Sequence, residues 1–231
     1  KVKVTKVGDI TGGIDYTGEG LEPEQCADDK ETEIKVSIDW SNNTLNDYSF
    51  PTEGNKNNLG LDVAFAGFKY YKLDASHKSY HPLSKNLTLN LKGTIGLGQG
   101  YGGKELPFFK RYYGGGSSSV RGFDFNSLGV KYTDTDIAKG GELSILMSAS
   151  VISPLTFMKD SKNMRLSAFI DAGSVEEKAS NLSFDEIRMS TGVAFSWLTP
   201  VGPLGIYAAT PLIKKTDDKT KTVEFTLGTS F

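Results

Sequence analysis

Long stretches of this chain alternate apolar and polar residues with a period of two. In residues 87–97, Leu or Ile occupies five of the six odd-numbered positions, and polar or small residues lie between them. Successive side chains of a β-strand point to opposite faces, so the pattern predicts strands with one apolar face. The other clear runs are 34–40, 59–65, 143–151, 187–197 and 223–231, with weaker ones at 1–8, 70–80, 164–172 and 204–209. We therefore expect about ten strands and an all-β fold.

The length and polarity of these strands favour a transmembrane antiparallel β-barrel over a soluble β-sandwich. The strands approach ~10 residues, whereas strands of soluble proteins usually contain ~5–6. Their second face consists of Gly, Ser, Thr and Asn with few charges, which is typical of a barrel lumen.

The connections alternate in length, as they do in outer-membrane barrels. Short connections are predicted at 81–86 and 199–203, and long ones at 98–142, 173–186 and 211–221. Two connections of middling length, 41–58 and 153–163, lie on the short side. By parity, Phe231 ends at the periplasmic face and the long loops are extracellular.

Composition argues against several classes of function. The net charge is −2 with no recurring basic stripe, so we expect no nucleic-acid partner. No apolar run reaches the ~18 residues that a membrane helix needs. Cys26 is the only cysteine, and the two histidines, His77 and His81, have no ligand-like neighbours. We therefore expect no disulfide, metal site, cofactor or catalytic residues.

A glycine- and serine-rich run at 114–119 precedes Val120, Arg121, Gly122 and Phe123. It lacks the Lys-Ser/Thr ending and the following helix of a phosphate-binding loop. We interpret it as a long loop that folds back into the barrel and is anchored by Arg121. Gly122 is expected to adopt a positive φ, which glycine tolerates.

Several motifs then follow in a fixed order. They are Phe-Pro-Thr-Glu-Gly at 50–54, Gly-Gly-Lys-Glu-Leu-Pro-Phe-Phe at 102–109, Val-Arg-Gly-Phe at 120–123, Ile-Asp-Ala-Gly at 170–173, Arg-Met-Ser-Thr-Gly at 188–192 and Trp-Leu-Thr-Pro-Val-Gly-Pro-Leu at 197–204. Together they resemble the C-terminal barrel of the BamA family of outer-membrane β-barrel assembly proteins. The resemblance covers nearly the whole chain.

The resemblance implies a fold, a location and an activity. The family barrel has sixteen strands preceded by periplasmic POTRA domains, so residues 1–231 are expected to be its C-terminal portion, without the POTRA domains and first barrel strands. The implied function is a non-enzymatic insertase in the outer membrane of Gram-negative bacteria. It would fold and insert unfolded outer-membrane β-barrel substrates through a lateral seam. Outer-membrane lipids, lipopolysaccharide and accessory assembly lipoproteins are the other implied partners.

The resemblance also implies roles for named residues. Val120, Arg121, Gly122 and Phe123 would lock the loop inside the barrel, with Arg121 paired to Asp171. A second acidic position of the family is Ser150 here, so one carboxylate fewer faces Arg121. Val223, Phe225, Leu227 and Phe231 would form the C-terminal assembly signal and one side of the seam.

Other side chains receive simpler interpretations. We expect interfacial aromatic girdles from Trp40, Tyr70, Tyr71, Tyr80, Phe195, Trp197 and Phe231. Acidic residues at 28–33 are expected to be solvated, and the mixed charges at 214–221 to form an extracellular loop. The alternatives to an insertase are a two-partner-secretion or TamA-like pore, a passive porin and a soluble β protein.

Overall fold

The computed structural model describes residues 2–7, 33–133, 135–155, 163–181, 183–200 and 202–228, of which 2–7 and 184 are described by backbone alone. Cys26, the acidic residues 28–31 and Phe231 lie outside the described residues, so the predictions for them are not addressed below.

The described residues form one antiparallel sheet in which spatial order follows chain order. Its strands are β1 Val2–Val7, β2 Glu33–Asn43, β3 Gly54–Ala66, β4 Tyr70–Ser84, β5 Leu87–Gly100, β6 Leu143–Pro154, β7 Met164–Glu176, β8 Arg188–Thr199, β9 Gly202–Ile213 and β10 Val223–Leu227. The predicted ten strands are confirmed, although most extend beyond their predicted ends because pairing continues past the apolar run. In the described part, β1 and β10 are the two edges.

The exposed side of the sheet is apolar and its covered side is polar, the reverse of the arrangement in a water-soluble protein. Met147, Ile170 and Val193 are each about half exposed, whereas Asp171 and Ser190 on the opposite face are fully buried. We call the apolar side the outer face and the polar side, which the long loop covers, the inner face. This inversion is what a lipid-facing barrel wall requires, and it excludes the soluble β-sandwich.

None of the described helices is both long and apolar enough to cross a membrane.

The structure contradicts the aromatic-girdle prediction at two of its positions. Trp40 and Trp197 lie on the outer face with 52% and 39% of their surface exposed. Tyr70 and Tyr80 are buried at 0% and 5% exposure, and the girdle prediction is wrong for both. Tyr70 and Tyr80 have even numbers, like Lys72, and even-numbered residues of β4 lie on the inner face. The period-two pattern therefore predicts their burial correctly.

The connections differ in length at the two ends of the sheet. A two-residue turn joins β4 to β5, whereas residues 101–142, 177–187 and 214–222 connect strands at the opposite end. The first of these, hereafter the long loop, crosses the inner face. The last, hereafter the final connection, leads into β10.

Candidate functional site

The long loop follows a defined path over the inner face. Leu106 packs against Ala64 and Tyr70 in a buried apolar cluster. Further along, Tyr112 and Gly141 exchange backbone hydrogen bonds of 2.9 and 2.8 Å, which closes the base of the loop. The loop is therefore held to the wall before its tip is reached.

Strand β5 makes room for this path with glycine. The ring of Tyr112 lies so close to Gly96 that an added Cβ would be 2.3 Å from Tyr112 Cε1. Real Cβ contacts are never so short, so only glycine at this position allows the loop to lie flat on the strand.

The tip of the long loop, residues 114–128, is a hydrogen-bonded turn with a buried apolar base. Ser119 Oγ accepts a 2.7 Å hydrogen bond from the Gly115 N–H. Inside the turn, Val120, Phe123 and Leu128 are buried together with Val175 of β7. The glycine- and serine-rich sequence therefore gives a compact shape with an apolar base that seats on the wall.

Arg121 and Asp171, the residues predicted to anchor the tip, form a buried two-pronged ion pair. Arg121 Nε donates to Asp171 Oδ2 at 2.7 Å, and Nη2 donates to Oδ1 at 2.8 Å. The backbone N–H of Arg121 adds a third bond to Oδ2 at 3.1 Å. Asp171 is fully buried and Arg121 is 7% exposed, so the carboxylate is desolvated but satisfied on both oxygens.

Two neighbours complete the surroundings of the guanidinium. Its Cζ lies 3.4 Å from the ring centroid of Phe169, a cation–π geometry, and Nη2 also donates to Ser148 Oγ at 3.2 Å. Ser150, where the resemblance led us to expect an acidic residue, instead approaches Asn90 at 3.5 Å. The anchor thus relies on one carboxylate, one hydroxyl and one aromatic face.

Gly122 has a φ of +89°, as expected for a glycine that turns the chain immediately after Arg121. An added Cβ would lie 3.2 Å from the Cβ of Ala209 on β9. Conformation and space therefore both favour glycine here, and the turn sends Arg121 to the wall while Phe123 joins the apolar cluster.

The last strand places its predicted residues on the outer face. Val223, Phe225 and Leu227 are 54–62% exposed, and the described residues of β10 pair with β9 over five positions. On the inner side, Glu224 accepts a hydrogen bond from the hydroxyl of Tyr207. The strand is short, apolar toward the outside, and paired on one edge within the described residues.

The sequence analysis did not predict two buried ionic clusters. Glu33 was expected to be solvated, but it is 1% exposed and accepts a 2.8 Å bond from Tyr70 as well as a salt bridge from Lys110. Asp218 was expected only as part of a mixed-charge extracellular loop, and its side chain is buried against Arg188. The partners are 37, 77 and 30 residues away, so no local signal could have found them.

No group of three or more His, Cys, Asp or Glu side chains in the described residues is arranged to hold a metal ion.

Comparison with known proteins places this arrangement in a family. The model of the Omp85 superfamily domain matches residues 6–231, so the chain belongs to the Omp85 superfamily.

Individual relatives point the same way. The chain is similar to the outer membrane protein assembly factor BamA of Neisseria meningitidis, with 35% identity over 85% of the chain and 28% of that protein. The BamA of Neorickettsia risticii is 26% identical over 92% of the chain and 30% of that protein. The chain therefore spans less than a third of these relatives.

A solved structure shows the same fold. The crystal structure of Haemophilus ducreyi BamA lacking POTRA domains 1–3 superimposes with a TM-score of 0.79 at 27% identity. The match covers 92% of this chain and 46% of that structure. The sheet described above thus corresponds to part of a BamA barrel.

Proposed function

We propose that this chain is part of an outer-membrane insertase that folds and inserts β-barrel proteins without enzymatic chemistry. One observation carries the proposal: a loop fixed to the wall by a buried ion pair lies beside a last strand that pairs with β9 over five residues in the part of the chain that the structure describes. A rigid wall next to a weak edge is what a device that opens laterally requires.

The weak edge supplies the means of insertion. An unpaired strand edge offers a row of backbone N–H and C=O groups, and an incoming strand satisfies its own groups by pairing with them. This matters in a bilayer, where each unsatisfied backbone group costs several kcal/mol. The exposed Val223, Phe225 and Leu227 would meanwhile continue the lipid-facing surface across the growing sheet.

The anchored loop supplies the rigidity. Removing one member of a buried ion pair costs on the order of 3–5 kcal/mol because its partner is left charged and unpaired. Arg121 and Asp171 would therefore keep the tip seated while β10 separates from its neighbour and accepts substrate.

The proposed surroundings follow from the similarity to BamA proteins. They are the outer membrane of a Gram-negative bacterium, unfolded outer-membrane β-barrel substrates, outer-membrane lipids with lipopolysaccharide, and accessory assembly lipoproteins. These partners are proposed for the whole protein, because this chain spans less than a third of its relatives' length.

Reconstitution tests the proposal directly. The protein as the cell makes it would be placed in liposomes, and an unfolded outer-membrane barrel added. We expect the substrate to become protease-resistant faster than in empty liposomes, with no steady ion conductance on the same vesicles. Steady conductance without faster assembly would instead assign the protein to the secretion pores or porins.

A further inference from the structure

The final connection, residues 214–222, lies directly against the tip of the long loop. Lys221 N–H donates to the carbonyl of Gly122 at 3.0 Å, and Asp124 N–H donates to the carbonyl of Lys219 at 2.9 Å. Between them, Phe123 and Thr220 form an isolated antiparallel bridge. The tip is thus bound by backbone to the segment that leads into β10.

The final connection has an ion pair of its own. Asp218 accepts from Arg188 Nε at 3.1 Å and from Nη2 at 3.2 Å, and their side chains are 2% and 4% exposed. Asp218 also accepts from the backbone N–H of Lys215 at 2.7 Å. The carboxylate therefore fixes the turn immediately before the residues that hold the tip.

Glu186 completes the surroundings of Arg188. It accepts from Arg188 Nη1 at 3.0 Å and from the ammonium of Lys215. This hydrogen bond from Lys215, with a further one from Arg188, holds the pKa of Glu186 below its usual value, so the carboxylate stays charged in neutral solution. Arg188 thereby joins the loop that precedes β8 to the final connection.

A series of side-chain contacts also joins the tip of the long loop to β10. The guanidinium of Arg121 lies on the Phe169 ring, which makes an edge contact with Tyr207 at 6.3 Å between centroids. Tyr207 donates its hydroxyl proton to Glu224 of β10. Backbone and side-chain contacts therefore both run from the anchored tip to the last strand.

We propose that Arg188 and Asp218 are positioning residues that couple the seating of the long-loop tip to the position of β10. The proposal rests on the proposed function and deepens it, because it names the linkage by which the rigid loop acts on the weak edge. Release of Asp218 frees residues 219–222, and these residues then hold neither the tip nor β10.

Thiol labelling tests the coupling without any substrate. In a Cys26→Ser background, a single cysteine replaces buried Val120 at the tip or buried Thr226 on β10. We expect Asp218→Asn to raise the labelling rate at both reporters by about tenfold or more, because a buried pair is broken. The matched control is Asp217→Asn, which removes the same charge from an exposed neighbour and should leave both rates within about twofold.

A second variant leaves the ion pair intact. Lys221→Pro removes the N–H that bonds to Gly122, together with the ammonium that lies 3.8 Å from Glu224, and it should raise labelling at Val120→Cys. Because coupling is reciprocal, Asp171→Asn, which removes the β7 partner of Arg121 at the tip, should raise labelling at Thr226→Cys on β10. Unchanged Val120→Cys labelling in both Asp218→Asn and Lys221→Pro would overturn the proposal, since Asp218 would then stabilise its own turn alone.

The two hypotheses fail separately. Labelling that rises as expected while liposomes show no assembly by the wild-type protein leaves the coupling intact and removes the insertase function. Normal assembly by the wild type with no change in labelling in any variant supports the insertase function and removes the coupling.

Discussion

At the scale of single residues, the anchor depends on how fully the Asp171 carboxylate is satisfied. Two guanidinium bonds and one backbone bond replace the water that burial removed. Removing either residue destabilises the site, because the remaining charge would be buried with neither a partner nor water to solvate it. The Phe169 face offsets part of the desolvation of the cation.

The first prediction compares single and paired substitutions at the anchor. Asp171→Asn should release the tip, at a cost of about 3–5 kcal/mol, because Arg121 stays charged and buried. The double variant Arg121→Met with Asp171→Leu should be milder, since no charge is left in the site. The rate of proteolysis within residues 114–128 measures both. A double variant as damaging as Asp171→Asn would mean that shape, rather than charge, seats the tip.

At the scale of elements, the inner face of β5 and the long loop fit each other. Tyr112 occupies the space that a side chain at position 96 would need. On the outer face of the same strand, Gly93 has no atom within 4 Å of its Cβ position. A substitution at Gly96 therefore tests the contact with Tyr112, and the same substitution at Gly93 is its matched control.

The second prediction uses these two glycines. Gly96→Val should displace Tyr112 and loosen the base of the long loop, whereas Gly93→Val should only add apolar surface to the outer face. Limited proteolysis of residues 101–113 would measure the difference, with Gly96→Val cut several-fold faster. Equal cleavage of the two variants would contradict the packing described for Tyr112.

The third prediction concerns pH at the final connection. Hydrogen bonds from Lys215 and then Arg188 lower the pKa of Glu186 in the folded protein. A lowered folded pKa stabilises the fold above the unfolded pKa, and this contribution is lost as pH falls through the folded pKa. Thr226→Cys labelling, divided at each pH by the rate for the same thiol in the unfolded protein, should therefore rise in acid, and Glu186→Gln should flatten that part of the profile. An unchanged acid limb in Glu186→Gln would exclude Glu186 as the group responsible.

At the scale of the whole molecule, the sequence predicted most of the fold and one of its buried ion pairs, that of Arg121 with Asp171. The strands and their outer face were predictable because alternation is local and the outer face tolerates no polar run. Arg121 and Asp171 came from a resemblance between motifs. The pairing of Arg188 with Asp218 was not predictable, because charges 30 residues apart in a mixed segment look the same whether solvated or buried.

The same limit explains the burial of Glu33. Its partner Tyr70 was assigned to an aromatic girdle by residue type, although parity along β4 places it inside. Residue type describes what a side chain prefers, whereas parity decides which face it occupies. On an inverted sheet, parity is the better guide.

The central claim is that a seated loop braces the wall while the weak edge receives a substrate strand. Liposome assembly of an unfolded barrel by the wild type, Arg121→Ala, Asp171→Ala and the double variant tests it most directly. Asp62→Ala is the control, since it removes an inner-face carboxylate from a partly exposed pair with Lys35. We predict that each single anchor variant slows assembly at least about tenfold and that the double variant is no worse, because one interaction has been removed. Anchor variants that assemble substrate at the wild-type rate would contradict the account.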